Sequence, residues 1–365
     1  MGCKYHRRLL SANDIFNYTN LKNDSAARLK FFEAWFTHKV ETEDPIKKMN
    51  KGEHSEALFT LRLLEGNFVN DVDDEEIHDP KIVFAHDALV WYENEALYVR
   101  NEKEIRAYPA PNLHNLANAA EEEIRNGVGT FESPAAQWYY DALTENGISL
   151  KAPSSSKSDL FIRYENELGE KRTVGISIKS MLGGSPSILN AGGRATAIAY
   201  EVTGYDGLSD DELHEVKIDS VVKSVKAGTS AVSYVGIDSE AFTSIIDEAE
   251  LDKEALADVV WKWKIAAGNN RISSLADEKD VAAFKQFFKI IMTTATAGKM
   301  ERSKRPPKFM GRIDNNGAVS LAPFEKVWEG LRLDAPSKTR HDYGYLYRED
   351  GKVKMRVAIG VRYTQ

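Results

Sequence analysis

Asp159 and Lys179 lie on two short apolar runs, Ser158-Asp159-Leu160-Phe161-Ile162-Arg163-Tyr164 and Val174-Gly175-Ile176-Ser177-Ile178-Lys179-Ser180, joined through the turn Glu165-Asn166-Glu167-Leu168-Gly169. Both runs alternate β-branched or aromatic residues with polar ones, and a glycine-bearing polar turn between two such runs signals a hairpin. Side chains two apart in a strand share a face, so Ser177 and Lys179 are expected to point together while Ile176 and Ile178 enter a core. Closing the hairpin would bring Asp159 beside that polar pair. An acid, a hydroxyl and a lysine at one spot suit phosphodiester hydrolysis. A carboxylate is a hard oxygen ligand for Mg2+, and the ion stabilises charge on phosphoryl oxygens and acidifies a bound water. A partly buried lysine supplies positive charge to the attacking water or the scissile phosphate. The plain alternative is a solvated Asp and Lys on ordinary strands, and spacing alone leaves it open.

The pattern resembles the PD-(D/E)xK nuclease signature, in which an acid on one strand is followed on the next by an acid, any residue and a lysine. Here it reads Asp159, then Ser177-Ile178-Lys179. The longer strings Ser156-Lys157-Ser158-Asp159-Leu160 and Gly175-Ile176-Ser177-Ile178-Lys179-Ser180-Met181-Leu182-Gly183-Gly184-Ser185-Pro186-Ser187-Ile188-Leu189-Asn190-Ala191 resemble the HpaII family of type II restriction endonucleases. Asn50-Lys51-Gly52-Glu53-His54-Ser55-Glu56 and Ser337-Lys338-Thr339-Arg340-His341-Asp342-Tyr343-Gly344 agree with that family in the same chain order. The resemblance implies a mixed α/β fold, a PD-(D/E)xK restriction-endonuclease-like core with helical and β-hairpin elaborations. It further implies Mg2+-dependent cleavage of both strands of double-stranded DNA at CCGG to leave a 5′-phosphate, and a companion cytosine methyltransferase that protects the same site. On that reading Asp159 holds the metal, Lys179 orients or activates water, and Ser177 stands in the place of the second acid.

That serine is a departure from the general pattern. A serine oxygen is a weak neutral ligand, whereas Mg2+ usually takes one or two carboxylates besides water and phosphate. Glu53 and Glu56 are the candidates to make up the difference. They open a helix expected to run to about Leu64, with Ala57, Leu58, Leu61 and Leu64 on its apolar face; the plain reading of both is favourable charge at a helix N-terminus.

The chain has 365 residues and a net charge of −8, so a nucleic-acid partner must be met by local basic surface rather than by overall charge. Lys299, Arg302, Lys304, Arg305, Lys308 and Arg312 crowd one stretch, and Lys338, Arg340, Arg348, Lys352, Lys354, Arg356 and Arg362 follow. Arg340 is the first candidate to read guanine, because arginine can bond both acceptors of its major-groove edge; a salt bridge to Asp342 is the alternative. Lys338, Arg302, Lys304 and Arg305 are candidate phosphate contacts, and the turn at Ser185 is read as touching the DNA backbone as well as linking elements.

Elements must carry these groups into place. Helices are expected at Asp24 to His38, Asn112 to Arg125, Ser133 to Leu143, Ser187 to Val202, from the capping box Ser209-Asp210-Asp211-Glu212 towards Val225, at Glu254 to Ala266 and at Asp280 to Thr294. Strands are expected at Lys81 to Phe84, Leu89 to Tyr92 and Leu97 to Arg100. A last hairpin turns at Glu349-Asp350-Gly351-Lys352. This divides the chain into an N-terminal helical region (1–49), a catalytic core with inserted strands (50–205) and a C-terminal α+β region (206–365). One cysteine excludes an intrachain disulfide framework, and eight histidines show no zinc spacing. Neither a P-loop nor a Gly-x-Ser-x-Gly elbow occurs. With no apolar run of spanning length and no signal peptide, a cytoplasmic enzyme is expected. Oligomeric state is not legible. Two other functions stay open: a structure-specific or repair nuclease of the same fold, and a catalytically silent DNA-binding module.

Overall fold

Residues 51–72, 77–84, 87–126, 135–149, 156–166, 168–182, 184–189, 197–237, 251–265, 275–295, 301–302, 306–334 and 344–363 are described in a computed structural model of the chain. They belong to two units of mixed α/β structure, each assembled from separate stretches of sequence. The helix expected over Asp24 to His38 lies outside the described residues.

The first unit draws on Met1–Ala152, Ser158–Gly184 and Lys308–Pro323. Its helices are α1 (Lys51–Glu65), α2 (Leu113–Asn126) and α3 (Ala135–Thr144). Its strands are β1 (Val69–Asn70), β2 (His78–Val83), β3 (Leu89–Glu93), β4 (Ala96–Arg100), β5 (Ile105–Pro109), β6 (Leu160–Glu165) and β7 (Lys171–Ser180), with β13 (Phe309–Ile313) and β14 (Val319–Pro323) from much later in the chain. They form one nine-stranded sheet in the order β1-β14-β13-β7-β6-β2-β3-β4-β5. The expected strands at 81–84, 89–92 and 97–100 are present, as is the hairpin of β6 and β7, which is antiparallel with Leu160 opposite Ile176 and Glu165 opposite Lys171. β13 adds parallel to β7, with Arg312 opposite Lys179.

Helix α1 departs from the amphipathic expectation. Ala57, Leu58, Leu61 and Leu64 are buried, but so are Phe59 and Leu63, and so are the polar His54, Ser55, Thr60 and Arg62. The helix lies between the sheet, where it meets β7, β2, β13 and β3, and the helices α2 and α3; a helix covered on all sides needs no polar face. Its close approach to the sheet depends on Gly311, where a Cβ would stand 2.5 Å from the Phe59 ring. The buried Arg62 is paired: it donates to Asn118 at 2.6 Å and to Glu121 at 3.3 Å.

The second unit draws on Pro153–Lys157, Ser185–Pro307 and Phe324–Gln365. Strands β9 (Ala197–Val202), β10 (Val232–Ile237), β16 (Gly344–Glu349) and β17 (Lys352–Ala358) form an antiparallel sheet in the order β10-β9-β17-β16. Strands β8 (Ser187–Leu189), β15 (Leu331–Asp334) and β18 (Gly360–Tyr363) form a second, and β11 (Thr294–Ala295) pairs with β12 (Glu301–Arg302). Its helices are α4 (Asp210–Glu215), α5 (Ile218–Lys226), α6 (Lys253–Ile265) and α7 (Glu278–Thr293). The hairpin at residues 349–352 turns on Asp350 and Gly351, both in the left-handed region at φ 52 and 76.

Two expectations are corrected in this unit. Ser187 to Val202 is not a helix: its described parts are β8 and β9. Ala197, Ile198, Ala199, Tyr200 and Val202 are all buried, because β9 is central between β10 and β17. A strand covered on both faces reads as a continuous apolar run, which period alone cannot separate from a buried helix. The Ser209 capping box is present, but the helix it opens ends at Glu215. Val216 and Lys217 are extended, and a second short helix then buries Val221 and Val222. Among the described residues no helix is long and apolar enough to cross a membrane.

Candidate active site

The hairpin brings the sequence-predicted acid, serine and lysine together. Asp159 precedes β6 by one residue, and its amide donates to the Ile176 carbonyl at 2.8 Å. Next to it, Ser158 is fully buried against Gly175, where a Cβ would lie 2.1 Å from the Ser158 hydroxyl. Only glycine permits that approach, so Gly175 sets how deeply the chain at Asp159 seats against β7.

The Asp159 carboxylate is held through one oxygen. Oδ2 accepts from the Ile178 amide at 2.7 Å and from the Ser177 hydroxyl at 3.1 Å, and Lys179 Nζ stands 3.6 Å away. None of these contacts uses Oδ1. Ile176 and Ile178 enter the core as their spacing predicts, while the Lys179 side chain is 14% exposed and that of Asp159 31%. Ser177 does occupy the place of the second acid, fully buried, with its hydroxyl committed to Asp159. A carboxylate there would set a second negative charge beside the first away from water, an arrangement in which one acid is held protonated. The serine instead donates, which fixes the orientation of the remaining carboxylate.

Helix α1 supplies further acids. The Glu56 carboxyl is pushed up from an ordinary 4.5 to about 8, by burial first, then by the charge of Asp159, against the opposing pull of Lys179, with Glu53 adding a smaller push. The charges of Asp159 and Lys179 both act on the Glu56 carboxyl, which places it within electrostatic reach of the hairpin. Glu53 is buried in the first turn of α1. Beside it, His54 Nε2 lies 3.6 Å from Glu123 of α2, and the Glu123 carboxylate accepts from the amides of Ala135 and Ala136 at the start of α3. That cap was not legible in the sequence, where Ser133 and Pro134 mark the helix start; both lie outside the described residues.

Among the described residues no three His, Cys, Asp or Glu side chains are gathered as a metal cage. Mg2+ does not need one, since it is commonly bound through one or two carboxylates plus waters and substrate phosphates. Asp159 and Glu56 are the two acids that would supply such a pair; burial first, and the Asp159 charge next, raise the Glu56 carboxyl, and a hard dication would offset both. The donor set fits the ion.

The proposed DNA contacts are less defined. Arg340, Lys338, Lys304 and Arg305 lie outside the described residues, and Arg302 is on β12. The Ser185 carbonyl accepts from Arg362 at 3.3 Å. Several other cations of the basic stretches are bound within their own unit. Arg312 pairs with Asp71 at 3.4 Å, Arg348 with Asp210 at 3.2 Å and Lys352 with Glu201 at 2.9 Å, and Lys354 pairs with Glu349.

An acid at the head of one strand and a lysine on its antiparallel neighbour, in a sheet packed against the helix that carries Glu53 and Glu56, is the arrangement expected of the PD-(D/E)xK class. The sequence profile of the HpaII restriction endonuclease family matches residues 50–277, a span that includes α1 and the whole hairpin. The chain belongs to that family. The type II restriction enzyme HpaII of Haemophilus parainfluenzae is 23% identical over 311 residues, covering 76% of this chain and 82% of that protein. Among solved structures, restriction endonuclease MspI in complex with its cognate DNA overlaps 67% of this chain and 87% of its own, at 12% identity and a TM-score of 0.22, a likeness too loose to bear on the fold.

Proposed function

We propose that this chain is a type II restriction endonuclease that hydrolyses phosphodiester bonds in double-stranded DNA at CCGG with Mg2+, paired functionally with a cytosine methyltransferase acting on the same sequence. The observation that carries the reading is the family match across residues 50–277, which contains the Asp159–Lys179 hairpin. When bound, Mg2+ would stabilise charge on the phosphoryl oxygens and lower the pKa of a coordinated water.

The protein's own groups do the rest. Ser177 and Ile178 hold Asp159 Oδ2 in place, and Oδ1, which takes part in neither contact, would be the metal's oxygen. Glu56 offers the second carboxylate and, once ionised, an acceptor for a proton of the attacking water; Glu53 supports the charge of the site from the same helix. Lys179 holds its ammonium where it can hydrogen-bond either the attacking water or a non-bridging phosphate oxygen. Water oxygen bonds to phosphorus, the bond to the 3′ oxygen breaks, and the phosphate stays on the 5′ end. Arg340 is proposed to read guanine, and Lys338, Arg302, Lys304, Arg305 and Ser185 to contact phosphates.

End-labelled duplexes bearing one CCGG test this. Paired strand cuts with 5′-phosphate ends support the proposal. Cutting only of branched or damaged duplexes would favour a structure-specific nuclease, and a gel shift without nicking in Mg2+ would leave a silent DNA-binding module.

A further inference from the structure

Arg312 stands on β13 directly opposite Lys179 of β7 in a parallel pair, so the two residues share a face of the sheet. The residue before it shows which face. A Cβ at Gly311 would meet the Phe59 ring and Ile176, so Gly311 faces α1, and Arg312, one residue on, faces away from α1 together with Lys179. Asp159 at the head of β6, Lys179 on β7 and Arg312 on β13 thus follow one another across three neighbouring strands. Adjacent strands lie about 4.8 Å apart, which is all that separates the main chains of the lysine and the arginine.

Two contacts aim the guanidinium. Nε donates to the Ser320 hydroxyl of β14 at 3.1 Å, and Nη2 donates to Asp71 Oδ2 at 3.4 Å. Neither contact uses Nη1. The ion pair is long for a charge-assisted bond, and its side chains are 21% and 38% exposed, so water screens it and it contributes little to stability. β14 lies on the far side of β13 from β7, so Ser320 draws the guanidinium away from Asp159.

We propose that Arg312 binds the phosphate next to the scissile one on the cut DNA strand, and that Asp71 holds the guanidinium ready in the free protein and yields it to that phosphate. The inference rests on the reading of Asp159 and Lys179 as a DNA cleavage site. A planar guanidinium matches two non-bridging oxygens of a phosphate through parallel bonds. Standing one strand farther from Asp159 than Lys179 does, it meets the backbone beside the scissile group rather than at it. Asp71, being negative, competes with the phosphate, so the two partners of this ion pair should act on DNA binding with opposite signs. A purely structural salt bridge would make them act alike.

The test measures binding of CCGG duplexes in Ca2+ by the full chain as wild type, Arg312→Gln and Asp71→Asn, with a single neutral methylphosphonate stepped along the cut strand in a second set of duplexes. Arg312→Gln is expected to weaken binding about tenfold, the worth of hydrogen bonds to a charged group, and to lower the slope of log affinity against log salt by about one. Asp71→Asn is expected to tighten binding. Wild type should lose affinity when the phosphate beside the scissile one is neutral, and Arg312→Gln should lose nothing more there. Weakened binding in both variants, an unchanged salt slope in Arg312→Gln, or a further loss for Arg312→Gln at every modified position would overturn the proposal. Should Arg312→Gln not fold, Arg312→Lys keeps the charge without the planar fork: weaker binding with the salt slope retained is expected, and wild-type affinity would overturn the proposal. A wild-type protein that neither binds nor cuts the CCGG duplex would sink the cleavage reading together with this inference, whereas cleavage with no sensitivity to Arg312 would remove this inference alone.

Discussion

The Ile178 amide donates to Asp159 Oδ2 at 2.7 Å while the Asp159 amide donates to the Ile176 carbonyl at 2.8 Å. The acid is therefore clamped to β7 by its main chain and its side chain at once. Because Ile176 and Ile178 are both core residues, packing of the hydrophobic interior fixes the carboxylate that faces outward. Lys179 follows directly along the same strand, so one register places both charged groups.

If that pair performs the chemistry, Asp159→Ala and Lys179→Ala should each reduce cleavage by about a hundredfold or more, the usual worth of metal and acid–base contributions. Binding of cognate duplex in Ca2+ should survive in both. Single-turnover cleavage beside a gel-shift titration separates the effects, and near-wild-type turnover in either variant would remove that residue from the mechanism.

Ser177 gives predictions of the same sign and different size for two substitutions. Ser177→Ala loses one hydrogen bond to a carboxylate and should cost about 1–3 kcal/mol in denaturant unfolding, with Asp159 less well held. Ser177→Asp restores the acid of the general nuclease pattern, yet it buries a charge beside Asp159 and should be worse on the order of several kcal/mol. A Ser177→Asp protein as stable and active as wild type would mean that the serine is a mere vacancy in the motif.

If Glu56 is the second Mg2+ ligand, it links metal binding as well as stability to pH. Its carboxyl is raised to about 8, so between about 4.5 and about 8 the folded state holds a proton that the unfolded chain has released. Stability from this group is thus fullest at the acid end of that window and declines as pH rises through it. Mg2+ must displace the same proton, so apparent Mg2+ affinity should climb by about tenfold per pH unit and level off above about 8. Glu56→Gln should flatten both dependences; a variant that keeps the wild-type slopes would locate the proton elsewhere.

Much of this arrangement was legible in the chain. Ser158 to Ser180 carries a strand alternation, a turn and its charged residues within one hairpin, and local pairing realised them together. Glu53 and Glu56 stand together as candidates in the sequence, because helical spacing sets them a turn apart without saying which faces a strand more than a hundred residues later. Residues 197–202 were read as helix because a central strand loses its alternation once both faces are buried. β13, which extends the catalytic sheet beyond β7, arrives from residues 309–313, a long-range pairing that no local pattern announces.

The central claim is sequence-specific, metal-dependent cleavage by the Asp159–Lys179 site, and one digest tests it most directly. Two supercoiled plasmids, identical except that every CCGG has been removed from one, are incubated with wild type and with Lys179→Ala in Mg2+ and in EDTA. Discrete linear fragments are expected only from the CCGG plasmid, only with wild type and only with Mg2+. Equal cutting of both plasmids, cutting in EDTA, or fragments produced by Lys179→Ala at the wild-type rate would contradict it.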